Sequence, residues 1–118
     1  MEDKIKFRVM WRKEVVADVE ASYKDSAVKV KNYTDNWIKR PFGNIENPTI
    51  NDFDEFLESR CFPKDRVNCD QLLEDLGLKV YDPLSIVEIT HGRQFEDYMW
   101  IKFDGEDLDY DRDIRLRD

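Results

Sequence analysis

At 118 residues, with 41% hydrophobic and 13% aromatic side chains, the chain has material for one ordinary core, which excludes both wholesale disorder and a core joined to an elaborate active-site domain. Its 27 Asp/Glu against 19 Lys/Arg give a formal net charge of −8, placed unevenly: residues 1–40 hold ten Lys/Arg and seven Asp/Glu, residues 41–118 nine and twenty. That surplus repels phosphate backbones and anionic lipid, so the expected partner is a protein with a basic surface, with no direct nucleic-acid or membrane binding.

From Lys4 to Arg12, Ile5, Phe7, Val9 and Trp11 alternate with Lys4, Lys6, Arg8 and Arg12, the period of a half-buried strand. A second strand is expected over Glu14–Ala21, with Val15, Ala17 and Val19 inward, and a third over Ala27–Asn32 with Val28 and Val30. Together they read as an N-terminal antiparallel meander whose polar face carries most of the Lys and Arg.

Pro41-Phe42-Gly43 and Asn47-Pro48 punctuate the next connection, and Thr49 with Asp52 forms an approximate capping box for a helix with Ile50, Phe53, Phe56, Leu57 and Arg60 on one face, stopped by Pro63. A second helix is expected to start after Asp65 as N-cap, to bury Cys69, Leu72, Leu73 and Leu76, and to end at Gly77. A third, short helix is signalled by Asp82, Pro83 and Gly92, burying Ile86, Val87 and Thr90.

Asp97 to Phe103, with Met99, Ile101 and Phe103 against Tyr98 and Trp100, gives a fourth strand, apolar on both faces, and Asp104-Gly105 offers a turn into a fifth. The expectation is a single α+β domain over residues 1–118: meander, two to three short central helices, then a C-terminal β hairpin. Its core should include Phe7, Val9, Phe53, Leu57, Leu72, Leu76, Ile86 and Ile101.

The fifth strand is the most distinctive stretch. Asp107, Asp109, Asp111 and Asp113 recur every second residue, between Leu108, Tyr110, Arg112, Ile114 and Leu116. Extended, the segment would put carboxylates on one face and mostly apolar groups on the other. With Asp104 and Glu106 as extensions, such a row is either a partner-binding face or a charged guard against edge-to-edge pairing.

Other chemistry is weakly signalled. As a calcium loop starting at Asp107, the segment would put Arg112 where the sharp turn needs glycine and Asp118 where a bidentate Glu is usual. Cys61 and Cys69 form no CxxC pair, and the lone His91 would need carboxylates to complete a zinc set, so they read as structural thiols with no metal and no cofactor. Ser22, Ser26, Ser59 and Ser85 lack a nucleophile-elbow glycine pattern. The chain has no long apolar run, and Met1-Glu2-Asp3-Lys4 lacks the marks of a secretory signal, so a cytoplasmic, non-catalytic protein is expected.

Ser59-Arg60-Cys61-Phe62-Pro63-Lys64-Asp65-Arg66 reads SRxxPxxR, and Gly92, Asp97, Trp100 and Ile101 give GxxxxDxxWI. Over roughly residues 50–103 this resembles an uncharacterised module of firmicute and phage proteins that also appears ahead of HipA-like kinase domains. The resemblance implies an accessory role that recruits or inhibits a host protein. Kinase activity does not carry over, since no glycine-rich phosphate loop, HRD or DFG is present. Arg60 and Arg66 then have two readings, as clamps on a two-helix corner or as partner contacts. The alternative for the whole chain is a nucleic-acid-mimicking inhibitor of the anti-CRISPR or anti-restriction type, with the Asp104–Asp113 carboxylates standing where phosphates would lie.

Overall fold

The computed structural model describes residues 4–94 and 97–114. Strands β1 (Lys4–Trp11), β2 (Glu14–Ser22) and β3 (Ala27–Asn32) form the meander, and β4 (Met99–Phe103) returns after the helices to pair with β1, giving an antiparallel sheet in the order β3-β2-β1-β4. The alternation in β1 sets the faces: Phe7 and Val9 are buried while Lys4, Lys6 and Arg8 are exposed.

One irregularity shifts this parity. Val9 opposes Ala17 but Met10 opposes Val15, so Val16 is an extra residue on β2 and forms a bulge. Val16 and Ala17 both join the core, whereas Val15, expected inward, packs with Met10 on the opposite face.

The inner face is covered by α1 (Ile50–Ser59) and α3 (Pro83–Thr90). Thr49 and Asp52 cap α1 reciprocally, as the sequence suggests. Phe53, Phe56 and Leu57 then meet Phe7, Val9, Val19, Ala21 and Ile101, with the Phe7 ring 5.6–6.3 Å from those of Phe53, Phe56 and Phe103. A satellite cluster joins Cys69 and Leu73 of α2 (Cys69–Asp75) to Ile86. Gly77, at φ +77°, ends α2: its N–H donates to Glu74 and that of Leu78 to Leu73, a Schellman closure.

The α+β class, the meander, the three helices and the returning strand are as expected. One helix boundary moves. The N-cap of α2 is Asn68, not Asp65, because Pro63–Arg66 forms a separate turn closed by the Arg66 N–H on the Pro63 carbonyl. Leu72 and Leu76 lie half-buried, Leu76 at the margin of the satellite cluster, instead of in the core.

The largest correction is at the C-terminus. The Asp104-Gly105 turn forms, with the Glu106 N–H on the Phe103 carbonyl, but the chain leaving it does not run back as a strand. It crosses the outer face and winds into a π-helical turn at Tyr110–Ile114. There Ile114, Leu108 and Tyr110 cover Met10 and Trp100, and the Trp100 Nε1–H donates to the Arg12 carbonyl at 2.7 Å. The apolar residues expected on one side of a strand thus serve as a strap over one end of the sheet. Leu116 and Asp118 lie outside the described residues.

Candidate functional site

The carboxylates expected in a row are dispersed by the strap. Asp109 Oδ1 accepts from the Asp111 N–H at 2.8 Å, an Asx-type turn, and Asp113 Oδ2 accepts from the Asp109 N–H at 2.9 Å. Arg112 donates to the same Asp113 oxygen through Nε and Nη2, at 3.0 and 2.8 Å, which holds the Asp113 carboxyl below its ordinary pKa. Asp111 pairs with Lys13 at 2.9 Å and raises the pKa of that lysine. Glu106 is half-buried, with Oε2 2.9 Å from His91 Nε2 and Oε1 accepting the Phe103 N–H. Asp104 and Asp107 are exposed on either side of it.

The motif residues converge instead on a structural joint. Arg60 caps the C-terminus of α1 and is only 7% exposed. Its guanidinium donates to the Gly92 carbonyl, to both Asp97 oxygens and to the Met99 carbonyl, all between 2.8 and 3.0 Å. Arg60 thus turns its donors inward, onto the end of α3 and the start of β4. Arg66 is exposed at the turn before α2, where its backbone serves both neighbours: its N–H donates to Pro63 and its carbonyl accepts from Cys69.

Other groups with chemical potential are also tied into the fold. The Cys61 thiol bonds to the Leu57 carbonyl, and burial together with Glu58 and Asp82 pushes its pKa to about 12. Ser59 Oγ donates to Phe56, Ser85 Oγ to Asp82, and His91 occupies the left-handed position that closes α3. Among the described residues no group of three His, Cys, Asp or Glu side chains is placed to hold a metal ion.

Charge segregates by layer, a feature that composition alone does not show. α1 carries Asp52, Asp54, Glu55 and Glu58, α2 Asp70, Glu74 and Asp75, and α3 Glu88, and none of the three helices carries a Lys or Arg. These eight acids equal in number the net charge of −8. The strands, by contrast, hold Lys4, Lys6, Arg8, Lys29, Lys31 and Lys102 against Glu14, Asp18 and Glu20.

On the outer face, the half of the sheet left open by the strap is a groove of about 500 Å³, floored by Lys6, Arg8, Asp18, Glu20, Lys29, Lys31 and Lys102 and bounded by Asp104, Gly105 and Glu106. The strand alternation at Lys4–Arg8 made the cations legible; their grouping follows from the register, which the sequence does not reveal. An exposed pair, Trp37 and Ile38, sits on a 3-10 turn capped by Asn36. Comparison with protein families, curated proteins and solved structures finds nothing that matches this chain.

Proposed function

We propose that the protein is a non-catalytic binding module that engages a protein partner with a basic surface through the outer sides of α1 and α2. The supporting observation is the uncompensated charge of the helical layer, where four acids on α1 and three on α2 have no cation on either helix. Asp54, Glu55, Glu58, Asp70, Glu74 and Asp75 are all exposed there. Such a field accelerates encounter with a basic surface and disfavours wrong partners. That the groups with nucleophilic or acid–base potential are bonded into the fold also favours binding over catalysis.

Recruitment or inhibition of a host protein by a phage or mobile-element product, in the cytoplasm, is the form this function takes under the resemblance at residues 50–103. Among the described residues no helix is long and apolar enough to cross a membrane. Mimicry of nucleic acid, as in an anti-CRISPR or anti-restriction inhibitor, is the narrower version. It rests on the helical acids, since the carboxylates of Asp109 and Asp113 accept bonds from their own backbone.

The test is affinity capture from a bacterial lysate at moderate salt with wild type and with Glu55→Gln/Glu58→Gln/Asp70→Asn/Glu74→Gln. A partner held by wild type and lost by the variant supports the reading. Equal recovery by both, or none by either, overturns it.

A further inference from the structure

We infer that the open half of the outer sheet face is a second binding surface, a docking groove for an extended, acid-rich protein segment. It lies on the opposite side of the sheet from α1 and α3 and does not depend on the helical acids. The register places Lys102, Arg8, Asp18 and Lys31 in one rung across β4, β1, β2 and β3, and Lys6, Glu20 and Lys29 in the next. The acids of the middle strand are already engaged: Asp18 accepts from Arg8 Nε at 3.1 Å and from the Tyr33 hydroxyl at 2.6 Å, and Glu20 pairs with Lys4 at 3.4 Å. Lys6, Lys29 and Lys102 enter no ion pair among the described residues, and Lys31 lies over the Tyr33 ring at 5.3 Å. The spare charge in the groove is therefore positive, within a chain whose net charge is −8.

The geometry suits an extended segment. Lys29 and Lys31 stand two residues apart on β3, a separation of about 6.7 Å that matches alternate residues of a ligand strand lying along the sheet. Lys6 lies two strands away, about 10 Å across the groove, so acids at both margins of the ligand find a cation.

Two features favour a protein segment over nucleic acid. Asp18 and Glu20 run down the middle of the groove, and Asp104 and Glu106 bound it; a backbone charged at every unit would meet these acids, whereas a polypeptide can place neutral or basic residues opposite them. Among the described residues the face also lacks a stacking platform, since the Phe7 and Phe103 rings turn to the inner core and Tyr33 is held between Asp18 and Lys31.

The experiment is fluorescence anisotropy with a labelled alternating Glu-Thr decapeptide, its Lys-Thr counterpart and oligo-dT of equal length, at low and physiological salt. Wild type should bind the acidic peptide in preference to both others, and should lose affinity as salt rises. Lys6→Gln/Lys29→Gln/Lys102→Gln should weaken that binding by about tenfold or more, with the circular dichroism spectrum unchanged, because all three side chains reach solvent. The helical variant Glu55→Gln/Glu58→Gln/Asp70→Asn/Glu74→Gln should retain it, which separates failure of this inference from failure of the proposed function. Absence of binding at low salt, equal binding by the triple variant, or tighter binding of oligo-dT would each overturn the assignment.

Discussion

The Arg60 guanidinium donates to both carboxylate oxygens of Asp97, at 2.8 and 2.9 Å, across 37 residues of sequence. This bidentate pair fastens the end of α1 to the segment entering β4, and the further bonds from Arg60 to Gly92 and Met99 bring the end of α3 into the same joint. Helix and sheet are thus locked by one buried cation whose bonds span the two short sequence motifs.

Removing the Asp97 charge while keeping its shape leaves that cation buried opposite a neutral acceptor. Asp97→Asn should therefore lower stability by about 2 to 4 kcal/mol, read as a fall in the urea midpoint. Replacing both partners, as Arg60→Leu/Asp97→Leu, should cost less than the single change. A single-variant midpoint equal to wild type would remove Arg60 from its structural role.

Gly92 combines φ +66° with close packing: an added Cβ would stand 3.2 Å from Arg60 Cβ and 3.3 Å from Ile101 Cδ1. Gly105 has a comparable φ of +87° but open space around it. Gly105→Ala should carry only the backbone cost, about 1 to 2 kcal/mol, and Gly92→Ala at least about 1 kcal/mol more. Thermal unfolding of the two variants side by side isolates the packing contribution, and equal losses would show that Arg60 yields freely.

The Cys61 thiol, raised from 9.0 to about 12 mainly by burial, and the Tyr81 hydroxyl, raised from 10.0 to about 12 for the same chief reason, stay neutral in the folded state where the unfolded chain ionises. Their contribution to stability is complete below pH 9 and declines as pH climbs from about 9 toward 12. Native protein at pH 8 should react with a disulfide reagent at Cys61 far more slowly than the urea-unfolded chain. Equal rates would mean that the thiol is neither shielded nor raised.

Within the strap, the carboxylates differ in sign of effect from a repelling row. Asp109→Ala and Asp113→Ala each remove an acceptor of backbone N–H groups and should lower the urea midpoint, whereas Asp107→Ala should leave it unchanged. The depressed pKa of Asp113 makes its contribution present above its ordinary pKa of 3.8 and lost as pH falls below it. A rise in midpoint on neutralising Asp109 or Asp113 would restore the repelling row.

Much of this architecture is legible in the residues. The alternation of Phe7 and Val9 with Lys6 and Arg8, the Thr49–Asp52 capping box, Gly77 and Pro83 each specify a local structure by a mechanism that tertiary contacts only reinforce. The strap escaped because period-two acids are equally compatible with a strand and with successive Asx turns. The choice was made by Met10 and Trp100, apolar residues on the outer face that required a cover. The site was less readable than the fold. Arg60 and Asp97 give no local hint that they meet, and the grouping of Lys6, Lys29 and Lys102 depends on a register shifted by one bulge.

By sorting its charge the molecule sets a negative helical layer against a cationic patch on the open half of the outer sheet face, beside the acidic strap on that same face. Its smallest principal extent is 27 Å, several times the roughly 8 Å over which fields persist at physiological ionic strength. In dilute salt an approaching charged body feels both regions and turns the molecule before contact. At cellular salt each region is sensed only at close range, so the two act as electrically separate surfaces on one small scaffold.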